Sequence, residues 1–320
     1  MRLALLGFGN VGRAFARLLE QQQAVYPFRI VGVHTARHGT AYSERGVGDQ
    51  PAFGPPCGNV EEFFDKSRPE IMIELTALNP QTGEPAITHL RKAFDRGVHV
   101  VTANKGPIVH AYSDLREHAR RMGAEFRFES TCMDGAPVFN MVRNNLPGVK
   151  VMGFTGVLNS TSKLVLAAMR RGFTMAQGIE EARAMGITEA DATYDLDGWD
   201  SSAKTAALAN VLMDARVTPL DVDRHGISHV TVDEVQDLTR QGKQLCLVSR
   251  ASRTEQGIEL TTRPEALVDT DLLAVMQGTS NLLLLHTDLM GTVGTVSIAP
   301  GVAQTADGVF ADVVDIARSI

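Results

Sequence analysis

The sequence predicts an α/β fold: a parallel sheet covered by helices on both faces, followed by a second domain of α+β type. Three observations predict it. Short apolar or β-branched runs alternate with amphipathic stretches through the first half of the chain, which is the pattern of successive βαβ units. A glycine-rich turn separates the first apolar run from the first amphipathic stretch. In the last third, apolar runs follow one another without long helices between them, which favours antiparallel or mixed pairing there. At 320 residues the chain also exceeds the roughly 250–300 residues at which a single core stops growing, so two domains are expected.

Taken in order, strands are predicted over 3–6, 30–33, 71–75, 98–101 and 126–128, with helices over 11–22, 84–96 and 112–122. In the first helix Val11, Ala14, Phe15, Leu18 and Leu19 recur at helical spacing and should face the sheet. The stretch 36–59, rich in Gly, Pro and Ser and without periodicity, reads as a surface loop. Helices are predicted over 160–171, 175–185 and 200–215, strands over 244–249, 258–262, 282–287 and 295–298, and a last helix over 303–320. The expected domains are 1–132 with 303–320, and 133–302.

Hydrophobic residues make up 44% and charged residues 21%, ordinary for a globular protein. A net charge of −6 offers neither nucleic acid nor an anionic membrane the basic face that either would need. No apolar run approaches the ~20 residues of a membrane-crossing helix, so neither partner is expected. Cys57, Cys132 and Cys246 lie far apart, with no CxxC pair; a disulfide framework and a zinc cluster are both disfavoured, and a reducing cytoplasm is the expected location.

Gly7-Phe8-Gly9-Asn10-Val11-Gly12 reads GxGxxG. Taken alone it would be a structural turn as readily as a binding loop. Here it follows the first predicted strand and opens the first predicted helix, the context of a Rossmann-type dinucleotide site. The first glycine permits the tight turn, the second lets a pyrophosphate approach the backbone, and the third allows close helix–strand packing, with the helix N-terminus facing the phosphates. An NAD site would place an acid near the end of the second strand, about 20 residues past the glycines. This chain reads Gly32-Val33-His34-Thr35-Ala36-Arg37-His38, with no acid before Glu44. Arg37, with His38 or Thr35, can hold a 2′-phosphate, so NADP is expected over NAD; the plain alternative for Arg37 is a solvated loop arginine.

At 100–107 the chain reads VVTANKGP. It continues with ESTCMDGAP at 129–137, GVLNST at 156–161, EARAMGITEAD at 181–191 and DLDGWDSSAK at 195–204, then Pro300-Gly301 and Thr305-Ala306. In these stretches, which span nearly the whole chain in order, the sequence resembles the homoserine dehydrogenases. TANK and the Asp-Gly-x-Asp-x-x-x-Lys run are the specific parts. The resemblance implies an oxidoreductase of amino-acid biosynthesis, on the route to threonine and methionine, that interconverts L-homoserine and L-aspartate 4-semialdehyde. It implies Lys105 and Lys204 as the proton-transfer residues and Glu189 and Asp200 as binders of the substrate ammonium. Asp195, Gly186 and Thr188 are implied beside them. The cofactor set is Gly7, Gly9, Asn10, Val11, Gly12, Arg37, His38, Thr76, Asn104, Lys105 and Gly301. A monovalent cation such as sodium is implied on Glu129 and the carbonyls of Cys132, Asp134 and Ala136, and so is a homodimer. The last also follows from the late strands, which have too few helices after them to cover an apolar sheet.

The residue types suit this chemistry. Oxidising an alcohol needs a base for the hydroxyl proton, which a lysine can supply when desolvation or a neighbouring cation weakens its hold on its own proton. Lys204 lies four residues after Asp200, so both project from one helix face. Lys105 is expected to close a strand at the carboxyl edge of the sheet, where open α/β folds bind ligands. Two departures stand out: Ile187, where family members commonly carry Tyr, and Met133-Asp134 in the loop implied for the cation. They leave a related enzyme acting on a different amino or hydroxy acid as the second reading. A nucleotide-binding sensor without catalysis is the third, and it has no use for both lysines and both carboxylates. With residues 303–320 needed as a closing helix, no room is expected for the ACT regulatory domain that many members carry, nor for threonine control through one.

Overall fold

In the computed structural model, which describes residues 1–188 and 191–320, the first apolar run forms β1 (Arg2–Leu6). Leu3, Ala4 and Leu5 are fully buried, without the alternation of a half-exposed strand, because layers cover both faces of the sheet. From β1 the chain passes through α1 (Asn10–Gln22), β2 (Arg29–Thr35), β3 (Gly39–Tyr42), α2 (Val60–Ser67), β4 (Ile71–Glu74), α3 (Ala86–Phe94), β5 (His99–Thr102), α4 (Lys105–His110), α5 (Tyr112–Arg121) and β6 (Phe126–Arg127). The sheet order is β3-β2-β1-β4-β5-β6. All neighbours are parallel except β2 and β3. The chain therefore winds outward in both directions from β1, a Rossmann-type arrangement whose switch point lies between β1 and β4, at their carboxyl ends.

The stretch expected as a surface loop holds one strand of this sheet. β3 pairs with β2 from Gly32↔Tyr42 to Thr35↔Gly39, with Thr40 and Ala41 buried. Four residues after a tight turn are too few to show a period, so composition dominated the reading. α2 was likewise unmarked, although Asn59 caps it by accepting from the Glu62 N–H at 2.8 Å.

The chain divides into two units, Met1–Asn140 with Gly301–Ile320, and Met141–Pro300. The first extends past Cys132, where the sequence had placed its end, because buried carboxylates tie the following residues to it. Glu129 accepts from the backbone N–H groups of Val138, Phe139 and Asn140 at 2.6–2.9 Å. Asp312, in the C-terminal helix Val302–Ser319, accepts from the Glu129 N–H and the Asn140 amide. Val309, Phe310, Val313 and Ile316 of that helix join Phe15, Leu19 and Ile30 in one core.

α6 (Phe139–Asn145) leads into the second unit: β7 (Val151–Val157), α7 (Ser160–Arg170), α8 (Met175–Ala184), α9 (Thr193–Leu196), α10 (Trp199–Leu212), β8 (Asp223–Arg224), α11 (Val232–Arg240), β9 (Lys243–Thr254), β10 (Gly257–Val268), β11 (Asn281–Thr287) and β12 (Thr292–Ser297). Its sheet runs β12-β11-β7-β9-β10-β8, antiparallel apart from β8 beside β10. Leu247 packs with Val165, Met169 and Val235 under the helices. Its strand neighbours Cys246 and Val248 point to the other face, where they meet Val157, Leu282 and Leu273. β7, which the sequence did not reveal, lies near the centre of this sheet. Gly153 and Gly156 break its apolar pattern, and added Cβ atoms there would lie 2.4 and 2.9 Å from the carbonyl oxygens of Ala251 and Leu282, so close strand packing requires both.

Candidate active site

Each glycine of the turn after β1 has a distinct physical reason. Gly7 has φ +94°, and a Cβ there would lie 2.4 Å from the Leu75 carbonyl oxygen; its N–H donates to the His34 carbonyl at 2.9 Å. Gly12 leaves a Cβ only 3.2 Å from the Phe8 side chain, so it lets α1 sit close. At Gly9 a Cβ would meet nothing within 4 Å. Steric demand inside the protein does not explain that glycine; open space for an approaching ligand does. Gly9 is also the N-cap of α1, with no side-chain cap and no acid in the first turn, so Asn10, Val11 and Gly12 begin a helix whose first N–H groups have no capping acceptor.

Across the switch point, β4 and β5 end in a linked set. Glu74, fully buried, accepts from the Thr76 N–H at 3.0 Å and from the Thr76 hydroxyl, and from the Thr102 hydroxyl at 3.1 Å. The Asn104 amide donates to the Thr76 carbonyl at 3.2 Å, and its Oδ1 accepts from the Gly106 N–H at 2.9 Å. Asn104 is thus the cap of α4. Lys105 opens this helix, three residues beyond the end of β5, rather than closing the strand. The TANK motif combines a strand end, a cap and a helix start, and six helical residues were too few to betray their period. Lys105 itself is half-buried.

At the end of β2, Arg37 is exposed on the turn into β3. The His38 N–H donates to Thr35 Oγ1 at 2.9 Å. Glu44, the first acid after β2, is held by the Arg2 guanidinium at 2.5 and 3.1 Å, which keeps its carboxyl below the usual carboxylate range. Arg2 starts β1, so Glu44 lies toward the amino end of the sheet, away from the glycine turn. Gly301 caps the C-terminal helix, its N–H donating to Gln304 Oε1 at 3.0 Å.

In the second unit the acids and Lys204 form one cluster at the start of α10. Lys204 Nζ lies 2.9 Å from Asp200 Oδ2 and donates to the Leu158 carbonyl at 2.6 Å. The Asn159 amide donates to Asp195 Oδ1 at 2.7 Å and to Asp200 Oδ2 at 3.0 Å, while its Oδ1 caps α7. Thr161 donates to Asp195 Oδ2 at 2.8 Å. Asp195 therefore has neutral donors, whereas Asp200 has an ammonium beside it. Asn159 and Tyr194 were not singled out from sequence. Asn159 stood within the GVLNST stretch, and a polar residue just before a helix start is the signal that marks it. Burial, and then the charges of Asp200 and Asp195, push the Tyr194 phenol up to about 12, so it stays neutral and able to donate.

Gly186 turns the chain after α8 with φ +70°. The Thr188 hydroxyl is buried and has no hydrogen-bond partner among the described residues. Glu189 lies outside the described residues. In the loop 132–136, Asp134 and Gly135 both have positive φ, and Cys132 is buried and not in a disulfide. Among the described residues no three His, Cys, Asp or Glu side chains gather as a metal site. The Glu129 carboxylate, already receiving three backbone N–H groups, acts here as the cap of α6.

Comparison with known proteins matches both units. A family model for the homoserine dehydrogenase NAD-binding domain matches residues 7–129, and one for homoserine dehydrogenase matches 137–314. An NAD(+)-dependent homoserine dehydrogenase of Pseudomonas canavaninivorans is 33% identical over 99% of this chain and 96% of its own. One from Methanocaldococcus jannaschii is 29% identical, covering 100% and 99%. Among solved structures, a hyperthermophilic archaeal homoserine dehydrogenase in complex with NADPH superposes with TM-score 0.84 at 25% identity, over 100% of this chain and 98% of that one. A homoserine dehydrogenase from Thiobacillus denitrificans gives 0.85 at 26%, over 99% and 73%. A family model across most of the second unit, together with a relative one-third identical from end to end, leaves a single conclusion: the chain belongs to the homoserine dehydrogenase family.

Proposed function

We propose that this chain interconverts L-homoserine and L-aspartate 4-semialdehyde by hydride transfer, with NADP preferred over NAD, as a cytoplasmic homodimer. One observation carries the chemistry: the Asn159 amide joins Asp195 and Asp200, with Lys204 seated on the second of them. A substrate ammonium needs a carboxylate whose charge is not already answered. Asp195, with only neutral donors on it, fits that role better than Asp200, which holds Lys204 in place; Glu189 is the second expected binder. The Lys204 ammonium has three N–H donors, and two are directed to Leu158 and Asp200, which leaves one for the substrate oxygen. In the oxidising direction a nicotinamide cofactor, when bound, would supply the acceptor for the hydride leaving the carbinol carbon. The hydroxyl proton passes to a lysine in its neutral amine form, which becomes the ammonium; Lys105 and Lys204 are the two assigned to this transfer, one as that amine and the other as the ammonium that donates to the substrate oxygen. Thr188, with a buried hydroxyl lacking a partner among the described residues, is the kind of group a bound substrate satisfies.

For the cofactor, the support is negative and positive at once: the first acid after β2 is occupied by Arg2, and Arg37 and His38 stand at the strand end. One relative is named for NAD(+) and one structure holds NADPH, so the preference has to be measured on this chain. NADP is expected to give the lower KM, and Arg37→Ala to raise the NADP KM by about tenfold or more, the effect of one lost charge-assisted bond, with NAD nearly unchanged. Equal losses for both cofactors would show that Arg37 does something else. A cation on the loop 132–136 would add to a carboxylate already employed as a cap.

The dimer rests on the face of the second sheet turned from the helices. Val296 and Ile298 near its β12 edge are 48% and 70% exposed, and Leu272 is 62% exposed. Sedimentation at micromolar concentration is expected to give twice 34.6 kDa; a monodisperse monomer would contradict it.

A further inference from the structure

Beside the glycine turn, within the first unit, the outer face of α1 and the segment after β3 enclose a cleft of about 460 Å3. Its walls include Arg13, Arg17, His38, Asp49 and Phe53. The charges on these walls are not equivalent. Arg17 lies 3.7 Å from Asp49, so the one acid among the described residues of the wall already has a cation beside it. No described carboxylate pairs with Arg13. Its guanidinium sits instead 5.6 Å from the centre of the Phe8 ring, and Phe8 is the residue between the first two glycines. Phe8 meets Phe53 edge-on at 6.3 Å, and Phe53 lies against the His38 ring at 5.7 Å.

Arg13 and His38 therefore stand at the two ends of one aromatic wall. Of the two phenylalanines Phe53 lines the cleft and its ring offers an apolar face to a purine, while a guanidinium is the group best shaped to take a phosphate in bidentate fashion. Arg37, which sequence reasoning put first, is on the adjoining turn and is not one of the residues lining this cleft.

We propose that this cleft takes the adenosine end of NADP, with the 2′-phosphate held by Arg13 and His38 from the cleft side, and that Arg13 discriminates NADP from NAD together with Arg37 on the adjoining turn. The proposal rests on the NADP reading above and adds a residue that no sequence pattern marked. It also explains why Asp49 does not convert the cleft into an NAD site. The neighbouring Arg17 competes for its carboxylate, so a ribose 2′-hydroxyl finds a weakened acceptor there.

The test is calorimetric titration of the full chain with adenosine 2′,5′-bisphosphate and with adenosine 5′-monophosphate, ligands that differ only in the 2′-phosphate. The wild type should bind the bisphosphate more tightly; if it does not, the NADP reading itself fails, whatever Arg13 does. Given that preference, Arg13→Leu should weaken the bisphosphate by about tenfold to a hundredfold, the range for a lost charge-assisted bond to a phosphate. Binding of the monophosphate should stay within about twofold of wild type. Arg13→Lys should fall between the two, since it keeps the charge and loses the fork. Arg13 is exposed, so the melting temperature of the variants should stay near wild type. Two results overturn the proposal. Equal weakening of both ligands would put Arg13 on the phosphate they share, and unchanged binding of the bisphosphate would remove Arg13 from the site.

Discussion

Lys204→Ala is expected to lower kcat for homoserine by ~10²–10⁴, the span usual for a lost proton-transfer group. The substitution also takes the cation away from Asp200, which is 8% exposed, so some stability should go with it, on the order of 1–3 kcal/mol for a buried acceptor left short of a partner. Lys204→Arg separates the two effects. A guanidinium can keep the contact with Asp200 four residues earlier, but it cannot give up its proton. The Arg variant should therefore melt near wild type and still lose activity. Lys105→Ala should lower kcat over the same span. Near-normal kcat in both alanine variants would remove the lysines from the mechanism.

Gly7→Ala is expected to damage the fold as well as the function. The added Cβ would lie 2.4 Å from the Leu75 carbonyl oxygen, at a φ of +94° that L side chains rarely adopt. Relief requires the ends of β1 and β4 to part at the switch point, in a region where Leu5 and Ile73 are fully buried. A loss of about 3 kcal/mol or more is expected, as for strained or overpacked core positions, seen as a lower melting temperature without any ligand. Gly9→Ala is the contrasting case. Nothing lies within 4 Å of its Cβ, so the protein should melt as wild type does, yet the KM for the nucleotide should rise because the methyl group fills the path of the pyrophosphate. If the two variants behaved alike, the division of roles between the glycines would be wrong.

The features legible in the sequence share a physical reason: each imposes a backbone or periodic demand that only certain residues meet. The turn Gly7–Gly12, the unalternated burial of β1 and the central apolar runs of β9 and β10 are of this kind, although each of those two strands extends to 12 residues where the sequence marked only 244–249 and 258–262. What escaped was short or interrupted. β3 and α4 have four and six residues, no more than two periods of any pattern, and the close-packing glycines of β7 look from sequence like loop residues. The candidate site divides in the same way. Lys105, Lys204, Asp195 and Asp200 were visible because their motifs resemble a family. Asn159 as the joint between two carboxylates, Glu129 as the cap of α6 and Arg13 on the wall of a cleft depend on where side chains go in three dimensions, and linear spacing carries no record of that.

The most direct measurement is the initial rate of nicotinamide reduction by the purified full chain with L-homoserine and NADP, beside a panel of other small amino and hydroxy alcohols. Turnover of homoserine above every other member of the panel, with aspartate 4-semialdehyde as the product, is the expected result. No turnover of homoserine while another alcohol in the panel is oxidised would contradict it.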